Sequence, residues 1–153
     1  VKKSQRIKSI VDIKALQEKN ALEILGVVQR RRFEMQAQIE SLMAYRKEYQ
    51  DRFDRLGAKG VNVAQLLEFR SFIDKLDMAI VGQERVLISI EEELMAKRKN
   101  WEVLHYKTES LQKVCDSALK VEMKQEAKRE QLEQDERASR IGRNNLNGTG
   151  NAR

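Results

Sequence analysis

Apolar residues recur along this chain in alternating steps of three and four, in two rows separated by one short break. The first row holds Met35, Ile39, Leu42, Tyr49, Phe53 and Leu56, with Arg46 in a polar slot. The second holds Leu66, Phe69, Ile73, Leu76, Ile80, Leu87, Ile90 and Leu94, with Gln83 as its gap. Such spacing averages about 3.5 residues, the heptad period of one helix wound on another. The break, Gly57-Ala58-Lys59-Gly60-Val61-Asn62, is short, and short connections make neighbouring helices antiparallel. The pattern predicts an all-α fold, a long antiparallel two-helix coiled-coil hairpin.

The same register extends both ways. On helix one it takes in Ile7, Val11, Ala21, Leu25 and Val28, with Lys14, Glu18, Arg32 and Arg46 as polar exceptions. On helix two it continues through Trp101, Leu104, Leu111, Cys115 and Ala118, with Gln83, Lys97, Thr108 and Glu122 as exceptions. Helix one is predicted over about 4–56, the turn over 57–62 and helix two over about 63–140. Together they form a single coiled coil over 1–141. Ser4 or Ser9 is the predicted first cap. Gly57 suits a left-handed C-cap and Gly60 a second unusual angle. Asn62 reads as an N-cap, with Gln65 at capping-box spacing and Val61 and Leu66 at staple spacing. Level partners across the hairpin have numbers adding to about 119, which sets Leu25 against Leu94 and Trp101 near Glu18 and Ala21. Helix two then overhangs helix one. The overhang, 121–140, reads as a solvated or partner-bound helix that frays when free, and the Gly- and Asn-rich tail, 142–153, as disordered. Gly26, inside helix one, marks either a close crossing or a tolerated defect.

Composition narrows the class. The chain has no Pro and 35% charged residues, which favours long helices over a mixed globule. No apolar run approaches the ~20 residues of a membrane span. The basic start lacks the apolar core of about 7–15 residues that a secretory signal needs. Cys115 is the one cysteine, so no internal disulfide is expected and a reducing compartment is the natural setting. Residues 1–32 carry nine Lys/Arg against three Asp/Glu, so the start of the chain is basic and calls for an acidic partner surface. Arg30-Arg31-Arg32 and Lys97-Arg98-Lys99 fall out of register with each other, and no base-stacking motif accompanies them, so nucleic acid is disfavoured as a partner.

Candidate chemistry is sparse. A catalytic histidine needs a positioned partner and a metal site several ligands; neither pattern surrounds His105, which reads as an exposed bystander. Cys115 reads as a small buried hydrophobe. Glu91-Glu92-Glu93 reads as a solvated face. No phosphate-binding loop follows a strand, so no enzyme, cofactor or metal is predicted. The informative feature is aromatic. Gln38, Leu42, Tyr45 and Tyr49 form one stripe on helix one; Phe72, Leu76, Ala79 and Gln83 form another on helix two. The pairing sets the stripes side by side. They either widen the seam or make an exposed apolar docking surface.

Leu42-Met43-Ala44-Tyr45-Arg46-Lys47-Glu48-Tyr49, a Gly-containing turn, and Phe69-x-x-Phe72-x-x-x-Leu76-x-x-Ala79-Ile80-x-x-Gln83 resemble the flagellar FliJ family, most clearly over about residues 38–90. The resemblance implies a cytoplasmic, non-enzymatic component of the flagellar type III protein export apparatus, peripheral at the inner face of the cell membrane. It implies a stalk-like coiled coil similar to the central stalk of rotary ATPases. The paired terminal ends, here 7–25 and 111–132, would associate with the export ATPase ring. The flank near the turn would contact the transmembrane export gate, and export chaperones are further partners. Carried onto this sequence, the gate patch is Gln38, Leu42, Tyr45, Tyr49, Phe72, Leu76 and Ala79, with Gln83 peripheral. The equivalent stalk of a virulence-type secretion system and a basic nucleic-acid-binding coiled coil are the alternatives.

Overall fold

Two helices account for the chain in the computed structural model, which describes residues 2–60 and 62–150. Helix α1 runs Lys3–Ala58 and α2 runs Val63–Gly150, and there is no strand among the described residues. The hairpin expected from the heptad pattern is therefore the fold. All the buried apolar residues lie on the predicted register. They are Val11, Ala21, Leu25, Val28 and Ile39 on α1, and Ile73, Leu76, Ile80, Ile90, Leu94 and Cys115 on α2. A two-helix seam has no third layer to close it, so many register residues, such as Met35, Leu42 and Tyr49, stay half-buried.

The helix ends depart from expectation in detail. Neither Ser4 nor Ser9 caps α1. Ser4 is already helical and buried, and Ser9 donates to the Gln5 carbonyl one turn back at 3.2 Å. The first turn closes on Lys2 instead, whose carbonyl accepts from Arg6 N–H at 3.3 Å. Gly57 is not left-handed but belongs to α1. Gly60 takes the positive φ, 72°, after a tightened last turn in which Lys59 N–H donates to Leu56 C=O at 3.2 Å. A glycine fits there because a side chain disfavours that angle. Asn62 caps α2 as predicted: its Oδ1 accepts from Ala64 N–H at 3.2 Å. The predicted staple involves Val61, which lies outside the described residues.

The chain divides into two units. The turn-proximal unit is Leu16–His105 and the terminal unit is Val1–Ala15 with Tyr106–Arg153. In the first, Leu25, Val28, Ile90 and Leu94 form a buried cluster with Met35 and Trp101 packed against it. The predicted partners Leu25 and Leu94 therefore meet. Polar partners follow a shifted rule. Glu18 reaches His105, Arg32 reaches Glu91 and Arg46 reaches Asp77. Each α2 partner lies about four residues, one turn, beyond the level pairing. The reason is the tilt of side chains towards their own helix N-terminus. In an antiparallel pair the two long side chains lean towards each other from staggered positions.

In the terminal unit Val11, Cys115 and Ser4 are the buried residues, and every residue described from Met123 to Gly148 is exposed. Helix α2 nonetheless continues through Gly142 to Gly150, past the end expected near Arg140. Side-chain contacts along this part of α2 include local ones, Arg140 with Glu136 at 3.9 Å and Arg143 with Ser139 at 3.3 Å. The predicted tail residues 151–153 lie outside the described residues.

Candidate docking surface

Four aromatic rings gather on one flank of the turn-proximal unit. Tyr45 and Tyr49 stand one turn apart on α1, which puts them on one face with ring centroids 5.0 Å apart. Phe69 and Phe72 rise to meet them from α2. Tyr49 lies 4.6 Å from Phe72 and 5.8 Å from Phe69, and Tyr45 meets Phe72 edge-on at 6.3 Å. These separations suit the tilted and edge arrangements that aromatic quadrupoles favour. Arg52 lies 5.6 Å over the Tyr49 ring and is held in turn by Glu48 at 2.9 Å.

The cluster is not core. Leu76 beneath it is buried and Leu42 and Tyr49 are half-buried, whereas Gln38, Tyr45, Phe72 and Ala79 are exposed. All seven residues of the predicted patch therefore stand on the turn-proximal unit, from a buried floor to an exposed rim. Tyr45 hydroxyl donates to that of Tyr49 at 3.5 Å. Hydrogen bonding to Tyr49 raises the Tyr45 phenol above its ordinary value, with the Tyr49 charge and partial burial acting in the same sense. The Tyr45 phenol thus stays neutral at physiological pH, and both rings present apolar faces with polar tips.

Beside the rings, Ala37, Gln38, Ser41, Leu42, Tyr45 and Gln83 line a shallow groove. Gln83, treated as peripheral in sequence, belongs to this surface. Its side-chain oxygen is buried and has no hydrogen-bond partner in the structure. The heptad gap at 83 was the available signal: a polar residue in a seam slot at the edge of an aromatic flank. The arrangement offers a partner an apolar platform with a polar border, which is the anatomy of a protein-binding hot spot. Arg46 and Asp77 bond across the seam through two guanidinium nitrogens. Asp77 also keeps the Arg46 guanidinium more firmly protonated.

The other sequence candidates fall elsewhere. His105 is not a bystander: its Nδ1 lies 2.6 Å from Glu18 Oε1 and its ring stacks on Trp101 at 5.2 Å. That is a cross-helix clamp. Cys115 is buried as predicted, its thiol directed at the Ser4 carbonyl at 3.6 Å. The run Glu91-Glu92-Glu93 is not wholly solvated, since Glu91 and Glu93 hold Arg32 at 3.5 Å and Arg31 at 3.2 Å. Those contacts occupy much of the α1 arginine cluster. Among the described residues no group of His, Cys, Asp and Glu could hold a metal ion, and no helix is long and apolar enough to cross a membrane.

No curated protein and no solved structure matches this chain. A family model does, the one described as flagellar FliJ protein, over residues 3–147. The match spans both helices and the turn, and it includes the aromatic flank on which the resemblance first rested. The chain therefore belongs to the flagellar FliJ family, components of the flagellar export apparatus.

Proposed function

We propose that this chain is a non-enzymatic coupling element of flagellar export. Its terminal unit engages and stimulates the export ATPase ring, and its aromatic flank docks on the cytoplasmic part of the transmembrane export gate. Escort of export chaperones belongs to the same reading. The chain would work in the cytoplasm, held at the membrane by its partners. The observation that carries the reading is the flank itself. Tyr45 and Phe72 remain exposed while the seam beside them is filled. Exposed aromatics over a buried Leu76 are the kind of anchors that dominate interface energies. The basic start of the chain suits an acidic ring cavity.

Two measurements test this. Activity of the purified export ATPase is followed with and without the protein at matched salt, with a scrambled basic helix as control. Stimulation by the protein alone is expected, and no stimulation where the ring assembles would remove the ATPase half of the reading. For the gate half, Tyr45→Ala and Phe72→Ala are expected to keep helicity and weaken gate binding by about tenfold or more each. Variants that unfold instead would make these residues core and end the docking claim.

A further inference from the structure

The outer face of α2 in the turn-proximal unit carries a second apolar stripe that the hairpin does not use. Met78, Val81, Ile88 and Met95 are 77%, 47%, 57% and 71% exposed. At about 100° per residue they fall within one band about 100° wide, on the side of α2 away from Ile80, Ile90 and Leu94. Asp74, Arg85, Glu92 and Lys99 complete the two rows of this band, so the face has its own heptad register. Among the described residues neither Arg85 nor Glu92 is held in an ion pair within its own chain.

The order of these residues is self-complementary. When the band is laid antiparallel against itself, Met78 faces Met95 of the other copy, Val81 faces Glu92, Arg85 faces Ile88 and Asp74 faces Lys99. Every layer then pairs apolar with apolar, acid with base, or an apolar residue with the stem of a long polar one. Arg85 and Glu92 of opposite copies stand about one turn off level, the same stagger that Arg46–Asp77 and Arg32–Glu91 show inside the hairpin. A parallel arrangement would instead stack Arg85 on Arg85 and Glu92 on Glu92. We infer that this face is a weak, antiparallel self-association surface whose occupant is a second copy of this chain, paired about a two-fold axis near Arg85 and Ile88. Phe72, Leu76 and Ala79 lie on another side of α2, so the aromatic flank stays open in the pair. The inference does not depend on the proposed function.

Sedimentation equilibrium from about 5 to about 500 μM tests it, the window suited to a small and half-polar interface. The full chain is expected to shift from monomer to dimer across that window. Arg85→Glu is expected to raise the midpoint by about tenfold or more, and Arg85→Glu with Glu92→Arg to restore it. In a Cys115→Ser background, Met78→Cys with Met95→Cys is expected to form a disulfide-linked dimer under oxidation, and Met78→Cys alone not to. Circular dichroism confirms that each variant is helical. A monomer throughout the window would overturn the inference, as would charge reversal without effect or cross-linking by Met78→Cys alone.

Discussion

Single residues show where this chain tolerates defects and where it depends on one contact. Gly26 is a defect. A Cβ built there meets nothing within 4 Å, so no close crossing requires the glycine. Gly26→Ala is expected to stabilise the protein by about 1 kcal/mol, read as a raised unfolding midpoint in urea. Ser4 is the opposite case. Its hydroxyl donates to Glu122 Oε2 at 2.5 Å and its backbone N–H to Glu122 Oε1 at 3.0 Å. These bonds favour the ionised carboxylate and lower the Glu122 pKa below its ordinary value. A carboxylate whose folded pKa is depressed stabilises the folded state above its unfolded pKa. That contribution is lost as pH falls from the ordinary carboxylate range through the lower folded value. Acid is therefore expected to loosen the terminal unit through this residue, and Glu122→Gln to remove that part of the pH dependence. Thermal melts of both proteins between pH 3 and pH 7 check this.

Along the helices, the sequence pattern and the structure agree on what is apolar and diverge on what the polar seam slots do. Every buried apolar residue was legible because the 3-4 spacing marks it directly. The polar slots at Glu18, Arg32, Arg46 and Glu122 looked like interruptions. Instead they reach His105, Glu91, Asp77 and Ser4 across the seam. Level pairing hid these partners because long side chains lean along the helix, a displacement that a count of residues does not contain. The same blindness made His105 look solitary, since its partner is far away in sequence. The helix ends were legible at Asn62, whose side chain has one local job, and misread at Ser4, whose hydroxyl serves the opposite helix. For the Arg46–Asp77 pair, a double-mutant cycle is expected to give about 0.2–1 kcal/mol, because both side chains are more than a third exposed. Exchanging the two charges is expected to recover most of the loss from either single reversal.

At the scale of the whole molecule, stability is unevenly held. The turn-proximal unit has the Leu25–Val28–Ile90–Leu94 cluster, whereas every residue described from Met123 to Gly148 on α2 is exposed. A helix without tertiary packing is marginal in water and opens locally. Amide hydrogens over residues 123–150 are expected to exchange within seconds and those around Ile90 and Leu94 to be the slowest, a contrast that mass spectrometry resolves by peptide. An acidic partner that binds the terminal unit is expected to slow exchange there. The aromatic flank was legible as spacing, but whether it was core or surface was not. That depends on the absence of a third layer, which heptad counting cannot supply.

The staggered polar pairs of the turn-proximal unit have a mechanical consequence. Glu18–His105, Arg32–Glu91 and Arg46–Asp77 all lean the same way along the two helices. Sliding one helix past the other by a single notch breaks all three together and sets Arg46 or Arg32 against a new row of neighbours. Prying the helices apart from one end breaks them in turn. The unit is therefore expected to resist loading in shear, where the three pairs share the load, better than peeling, where each bears it alone.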